Sequence, residues 1–237
     1  MARVSLVTGG TRGIGFAIAA ALIDAGDTVA ITGSRNETVR QALDALSAKA
    51  ADPSRVMGSA CDVRDPAAVE ATVRGVVTRA GGLDVLVNSA GVGIGAPVAE
   101  LSLDEWQRIV GTNLSGVFHS CKAAIPHLRQ RGGGWILNIS SLSSTAPFAG
   151  GAAYCASKAG LNAFSESLMQ ELRHDNIRVT VILPGSVATR FSGRAATAGS
   201  DWKLQPDDIA QVVVDLLRHH PRSLPSRVEV RPLRPQK

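Results

Sequence analysis

Apolar residues along this chain fall into short continuous runs, separated by longer stretches where they recur every three or four positions. The runs at 4–8, 28–32, 55–61, 84–87, 135–139, 178–183 and 227–230 have the length of buried strands. The stretches from 15 to about 25, 37–50, 66–79, 102–131, 153–174 and 206–218 carry helical periodicity. Strands alternating with helices of this length predict right-handed crossovers. The expected fold is α/β: a single Rossmann-type, doubly wound, mostly parallel sheet flanked by helices and spanning 1–237. No linker, repeat or low-complexity segment divides it.

The polar residues worth attention follow the carboxyl ends of the predicted strands, the edge where open α/β sheets bind ligands. The first strand runs into Thr8-Gly9-Gly10-Thr11-Arg12-Gly13-Ile14-Gly15. A strand, a glycine turn and a helix aim backbone amides and a helix N-terminus at a phosphate. Gly9 permits the turn, Gly13 lets the backbone approach a pyrophosphate, and Gly15 lets helix and strand pack closely. The second strand ends in Gly33-Ser34-Arg35-Asn36, where a carboxylate would otherwise hold a ribose 2′-hydroxyl. Arg35, with Arg12 in reach, suits a 2′-phosphate instead, so the expected cofactor is NADP(H). Glu37 falls in the first turn of the next helix, where it complements the helix dipole. Asp62-Val63 closes the third strand and is positioned for an adenine edge.

A second constellation is proton chemistry. Tyr154, the only tyrosine, and Lys158 are four residues apart on a predicted helix and so share one face. An ammonium at that distance should favour the phenolate and lower the phenol's pKa, making Tyr154 a proton donor or acceptor at a carbonyl or alcohol oxygen. Ser141 arrives from the end of the fifth strand and can bond the same oxygen.

Composition narrows the alternatives. Apolar residues make up 45% of the chain and charged residues 19%, as in soluble globular domains. The most apolar run, 14–23, is too short to span a bilayer, and no secretory leader is expected ahead of the first strand. Cys61, Cys121 and Cys155 show no spacing pattern, so reduced thiols and a cytoplasmic location are expected. The net charge of +5 comes from scattered residues, and aromatics are only 4%, which argues against nucleic acid. His119 and Cys121 point to different sides of a helix and nothing completes a ligand set with them or His127, so no metal is expected.

Taken together, these motifs resemble the short-chain dehydrogenase/reductase family over nearly the whole length. The resemblance rests on Thr8-Gly9-x-x-x-Gly13-x-Gly15, Asp62-Val63, Asn88-x-Ala90-Gly91, Asn113, Ser141 thirteen residues before Tyr154, Tyr154-x-x-x-Lys158, and Pro184-Gly185 leading to Thr189. It implies Tyr154 as general acid/base, Lys158 as its partner and a ligand of the nicotinamide ribose, and Ser141 polarising the substrate oxygen. It implies that Asn113 interrupts its helix to support a water-mediated proton relay. It also implies that Gly9, Thr11, Arg12, Gly13, Ile14 and Gly15 meet the pyrophosphate side. Asn88, Ala90 and Gly91 would pack by the adenosine, and Pro184, Gly185, Val187 and Thr189 would cup the nicotinamide. The expected reaction interconverts a ketone and a secondary alcohol of a small molecule. Ser143, Phe148, 92–96 and a lid at about 190–205 are the expected substrate contacts. The 3-oxoacyl-carrier-protein reductases are the nearest subfamily in look. Arg131-Gly132-Gly133-Gly134, His174-Asp175-Asn176 and the basic tail after 227 depart from their pattern. A non-catalytic NADP-binding regulator would have lost the proton-transfer residues that are present here. The resemblance further implies a homotetramer, or a homodimer. The surplus apolar residues Ile125, Leu128, Phe164, Leu168 and Leu172 are the expected interface.

Overall fold

The computed structural model describes residues 2–93, 95–189, 191 and 201–235. The elements are β1 Val4–Thr8, α1 Gly13–Asp24, β2 Thr28–Gly33, α2 Asn36–Ser47, β3 Val56–Ala60, α3 Pro66–Ala80 and β4 Val85–Asn88. They continue as α4 Leu103–Val110, α5 Gly116–Gln130, β5 Gly134–Ile139, α6 Ala152–Leu172, β6 Ile177–Pro184, α7 Pro206–Leu216 and β7 Arg227–Val230. The strands form one seven-stranded sheet in the order β3-β2-β1-β4-β5-β6-β7, and every neighbouring pair is parallel. Chain order reverses direction between β1 and β4, which opens a crevice at their carboxyl ends.

Side chains alternate across each strand and so feed two cores. Leu6, Leu86 and Ile136 pack with α3, α5 and α6, while Val7, Val87 and Leu137 pack with α1, α2 and α7. Ile18 and Leu22 of α1 are fully buried, which contributes about 1.5–3 kcal/mol each. Local signals set several boundaries. Asp65 caps α3 by accepting from the Ala67 and Ala68 amides, Pro66 starts it, and Gly81 at φ 80° ends it. Ser102 and Glu105 form a reciprocal cap at the start of α4.

The helix expected over 102–131, with its implied interruption at Asn113, is α4 and α5 joined by a π-helical turn, Gly111–Ser115. The turn accommodates one extra residue, and the Asn113 amide is tied there to the Val92 main chain. The apolar residues expected at a subunit interface are mostly internal. Leu128, Leu168 and Leu172 belong to the core, and Ile125 and Phe164 pack against it. The exposed apolar residues on that side are Leu103, Trp106 and Phe118.

Candidate active site

β1, β2, β4, β5 and β6 all deliver their ends to one cleft of about 2270 Å³, larger than a single small ligand requires. Its floor is the glycine turn. Gly9 has φ 67°, and a Cβ there would stand 2.7 Å from the Ala90 α-carbon. A Cβ on Gly15 would collide with the Gly9 carbonyl oxygen. Gly13, at φ 55°, faces Thr189 across the cleft. Thr8 Oγ1 accepts from the Ser89 and Ala90 amides at 3.2 and 3.3 Å, joining the ends of β1 and β4. Arg12 occupies the N-cap of α1 without a capping side-chain bond, and the first turn holds no acid. The first-turn amides of α1 are therefore free to meet an anion. Arg12 and Arg35 are exposed on the cleft wall and have no ion-pair partner among the described residues. This cradle fits a dinucleotide with an extra phosphate at the β2 end.

Most expected residues line this cleft: Gly9, Thr11 to Gly15, Ser34, Arg35, Asp62, Val63, Ala90, Gly91, Ser141, Tyr154, Lys158, Pro184, Gly185, Val187 and Thr189. Asn88 and Asn113 do not. Asn88 shares the Leu86 face of β4, so its side chain enters the α5 side of the sheet. There Nδ2 donates to Asn138 Oδ1 at 2.8 Å, and Oδ1 has no partner among the described residues. Asn113 is fully buried; its Oδ1 accepts from Val92 N at 2.8 Å, and its Nδ2 donates to Val92 O at 2.9 Å and Ser157 Oγ at 3.0 Å. A Cβ on Gly91 would stand 3.4 Å from Asn113 Oδ1 and 3.8 Å from Lys158 Nζ, so Gly91 borders both.

At the other end of the cleft, α6 presents half-buried Tyr154 and buried Lys158 on one face. Lys158 does not reach for the phenol. Its Nζ donates to Ile139 O at 2.8 Å and lies 6.0 Å from the Tyr154 ring centre. Burial brings its pKa down to about 8. Burial also raises the Tyr154 pKa, and the Ser141 hydroxyl opposes that rise. The expected lowering of the phenol by Lys158 is therefore absent from this arrangement; desolvation outweighs a distant ammonium that is itself destabilised. Ser141 Oγ accepts from the Ser143 amide at 3.1 Å, which leaves its proton free to donate into the cleft.

Other lining residues carry no strong sequence signal. Thr38 and Gln41 sit one turn apart on α2, and Arg64 holds the Asp62 carboxylate with both Nε and Nη2. Hydrogen bonding from Arg64 holds the Asp62 carboxyl below its ordinary pKa. The mouth near Tyr154 includes Leu142, Phe148, Phe191 and Pro232. The Phe191 ring centre is 5.8 Å from that of Tyr154. A Cβ on Gly185 would meet Pro232 at 2.8 Å and Leu142 at 3.3 Å, which brings the tail after β7 to the site. Leu204, expected as a substrate contact, instead bonds along Ser186 and Ala188. Most of the expected lid, 190 and 192–200, lies outside the described residues.

The family model for short chain dehydrogenase matches residues 3–198. The chain belongs to the short-chain dehydrogenase family. A 3α-hydroxysteroid dehydrogenase of Mediterraneibacter gnavus is 40% identical over 187 residues, 79% of this chain and 74% of that protein. An alcohol dehydrogenase from the archaeon Thermococcus sibiricus, solved with 5-hydroxy-NADP, superposes with TM-score 0.90 at 29% identity over 100% of both chains. A single-residue variant of the actinorhodin polyketide ketoreductase, solved with NADPH, gives TM-score 0.90 at 31% identity, covering 98% of this chain and 96% of that one. As a short-chain dehydrogenase the protein is an oxidoreductase of alcohol and carbonyl groups, and its sheet is the family's Rossmann-like fold. No described helix is long and apolar enough to cross a membrane.

Proposed function

We propose that this dehydrogenase interconverts a ketone and a secondary alcohol, with Tyr154 moving the proton. The observation that carries the reading is the convergence of Ser141, Tyr154 and Lys158 in the same cleft as the glycine turn. The cofactor is NADP(H), which supplies or accepts the hydride. Gly9 to Gly15 hold its pyrophosphate, and Arg12 and Arg35 hold its 2′-phosphate. In reduction, the Tyr154 hydroxyl protonates the substrate oxygen as charge develops there, and Ser141 donates a hydrogen bond to the same oxygen. Lys158 relays a proton back to the resulting phenolate, with the π turn at Asn113 as the way to solvent. A raised Tyr154 pKa keeps the phenol protonated at neutral pH, the form reduction needs.

The mouth of Leu142, Phe148, Phe191 and Pro232 favours a small or medium ketone with an apolar body. A carrier-protein substrate is the second reading. Against it, Arg129 is paired with Asp175 at 2.8 Å and Arg131 with Asp84 at 2.8 Å, so neither is free for an acidic carrier. A homotetramer in the cytoplasm is the proposed working form. The test is NADPH oxidation across diketones, β-keto esters, quinones and acyl thioesters, beside the Tyr154→Phe variant. Turnover by wild type with a loss of ~10²–10⁴-fold in the variant is expected. Near-normal turnover by Tyr154→Phe, or NADPH binding without turnover of any carbonyl, would reject the assignment.

A further inference from the structure

α6 carries a third polar residue on the face that bears Tyr154 and Lys158. Asn162 follows Lys158 by four residues, as Lys158 follows Tyr154. Neither hydride nor proton transfer needs it, and it does not line the cleft. Its amide joins α6 to the segment that bears Ser141. Ser140 Oγ donates to Asn162 Oδ1 at 2.6 Å, and Asn162 Nδ2 donates to Ser144 Oγ at 2.7 Å. Ser144 Oγ in turn donates to Ser141 O at 2.5 Å. The serines on both sides of Ser141 are thus attached to one side chain on the helix that carries Tyr154.

The direction of these bonds matters. A serine hydroxyl has a single proton. Ser144 gives its proton to the Ser141 carbonyl, so it can only accept from position 162. Ser140 gives its proton to Asn162 Oδ1 at 2.6 Å, with the Lys158 carbonyl at 3.3 Å as its other acceptor. An amide supplies the donor and the acceptor together. A carboxylate would take the Ser144 proton and leave Ser141 O with the Ser144 amide alone, at 3.1 Å; an aliphatic side chain would leave Ser140 with the Lys158 carbonyl alone.

We propose that Asn162 is a positioning residue, which fixes the 140–144 segment that bears Ser141 against the helix that carries Tyr154. This rests on the proposed roles of Ser141 and Tyr154, but its test needs no substrate. Tyr154 is the only tyrosine in the chain, so tyrosinate absorbance near ~295 nm reports this one phenol. The titration is read by rapid pH jump, before alkaline unfolding. Ser141→Ala should move the midpoint up, because it removes the hydroxyl that opposes the rise caused by burial. Asn162→Leu and Asn162→Asp should each move it up as well. The double variant Ser141→Ala/Asn162→Leu should titrate with Ser141→Ala, because Asn162 acts on the phenol only through the Ser141 hydroxyl. Asp keeps the size and polarity of Asn and covers the case where Leu fails to fold. NADPH affinity, measured by fluorescence titration, should stay within about twofold in Asn162→Asp, since Asn162 itself does not line the cleft. A wild-type midpoint in both Asn162 variants while Ser141→Ala shifts would overturn the proposal. So would additive shifts in the double variant. A failed carbonyl screen would instead count against the oxidoreductase reading and leave this titration interpretable.

Discussion

The proposed chemistry rests on a solitary tyrosine, a buried lysine and two arginines on the cleft wall, and it makes predictions at each. Lys158 has its pKa lowered by burial from 10.5 to about 8. Below pH 8 the amine is charged in both the folded and unfolded states. Between about 8 and 10.5 the unfolded chain binds the proton that the folded chain has lost, so this group adds stability as pH rises. Tyr154, raised by burial, acts with the opposite sign above its ordinary value of 10.0. Comparing wild type with Lys158→Met cancels the tyrosine, because both proteins keep it. Wild type should gain melting temperature relative to the variant between pH 8 and 10; a gap that stays constant would mean the amine is not desolvated. The arginines are the proposed basis of cofactor choice. A charge-assisted contact to the 2′-phosphate is worth ~1.5–3 kcal/mol, or roughly tenfold or more in affinity. Arg35→Ala should raise the KM for NADPH and leave that for NADH nearly unchanged, and Ser34→Asp should shift preference toward NADH. Equal weakening of both cofactors in Arg35→Ala would show that the arginine is only a surface charge.

Among the elements, the β1–α1 turn is the most tightly specified. A Cβ on Gly15 meets the backbone of Gly9, which cannot retreat because Gly9 itself stands against Ala90. Gly15→Ala should therefore lower the melting temperature and weaken NADPH binding by at least about tenfold, on the scale of 1.4 kcal/mol per decade. Calorimetry and fluorescence titration read the two effects. Retained affinity would mean that the turn can spread without disturbing the amides of α1. The π turn between α4 and α5 is the other specialised element. It turns Asn113 toward Val92 and Ser157, so one buried amide secures the loop after β4 to α6.

At the scale of the whole molecule, the sheet and its two cores account for the apolar residues of α6, but not for the outer face of α4 and α5. Leu103, Trp106 and Phe118 are 69%, 41% and 47% exposed, and Phe118 meets Phe164 of α6 edge-on with ring centres 6.5 Å apart. Covering such a face is a common reason for symmetric association. Light scattering at micromolar concentration should give the mass of a tetramer, and Phe118→Asp should reduce it. A wild-type monomer at that concentration would exclude the association.

Sequence alone determined the alternation of strands and helices, because burial on a sheet face and on a helix stripe imposes different apolar periods. It also located the glycine turn, the missing acid after β2 and the Tyr154–Lys158 spacing. All of these are properties of neighbours in the chain. What only the tertiary structure decided concerns directions between elements. Lys158, in a desolvated corner, bonds the Ile139 carbonyl at the end of β5 rather than the phenol. Asn88 turns away from the cleft because strand alternation assigns it to the Leu86 face. Asp62 is already engaged by Arg64. Asn162 meets serines 18 and 22 residues before it only because α6 folds back over β5. Periodicity fixes which face of an element a residue occupies; which partner that face meets depends on sheet order and packing, and these are set by contacts between distant parts of the chain.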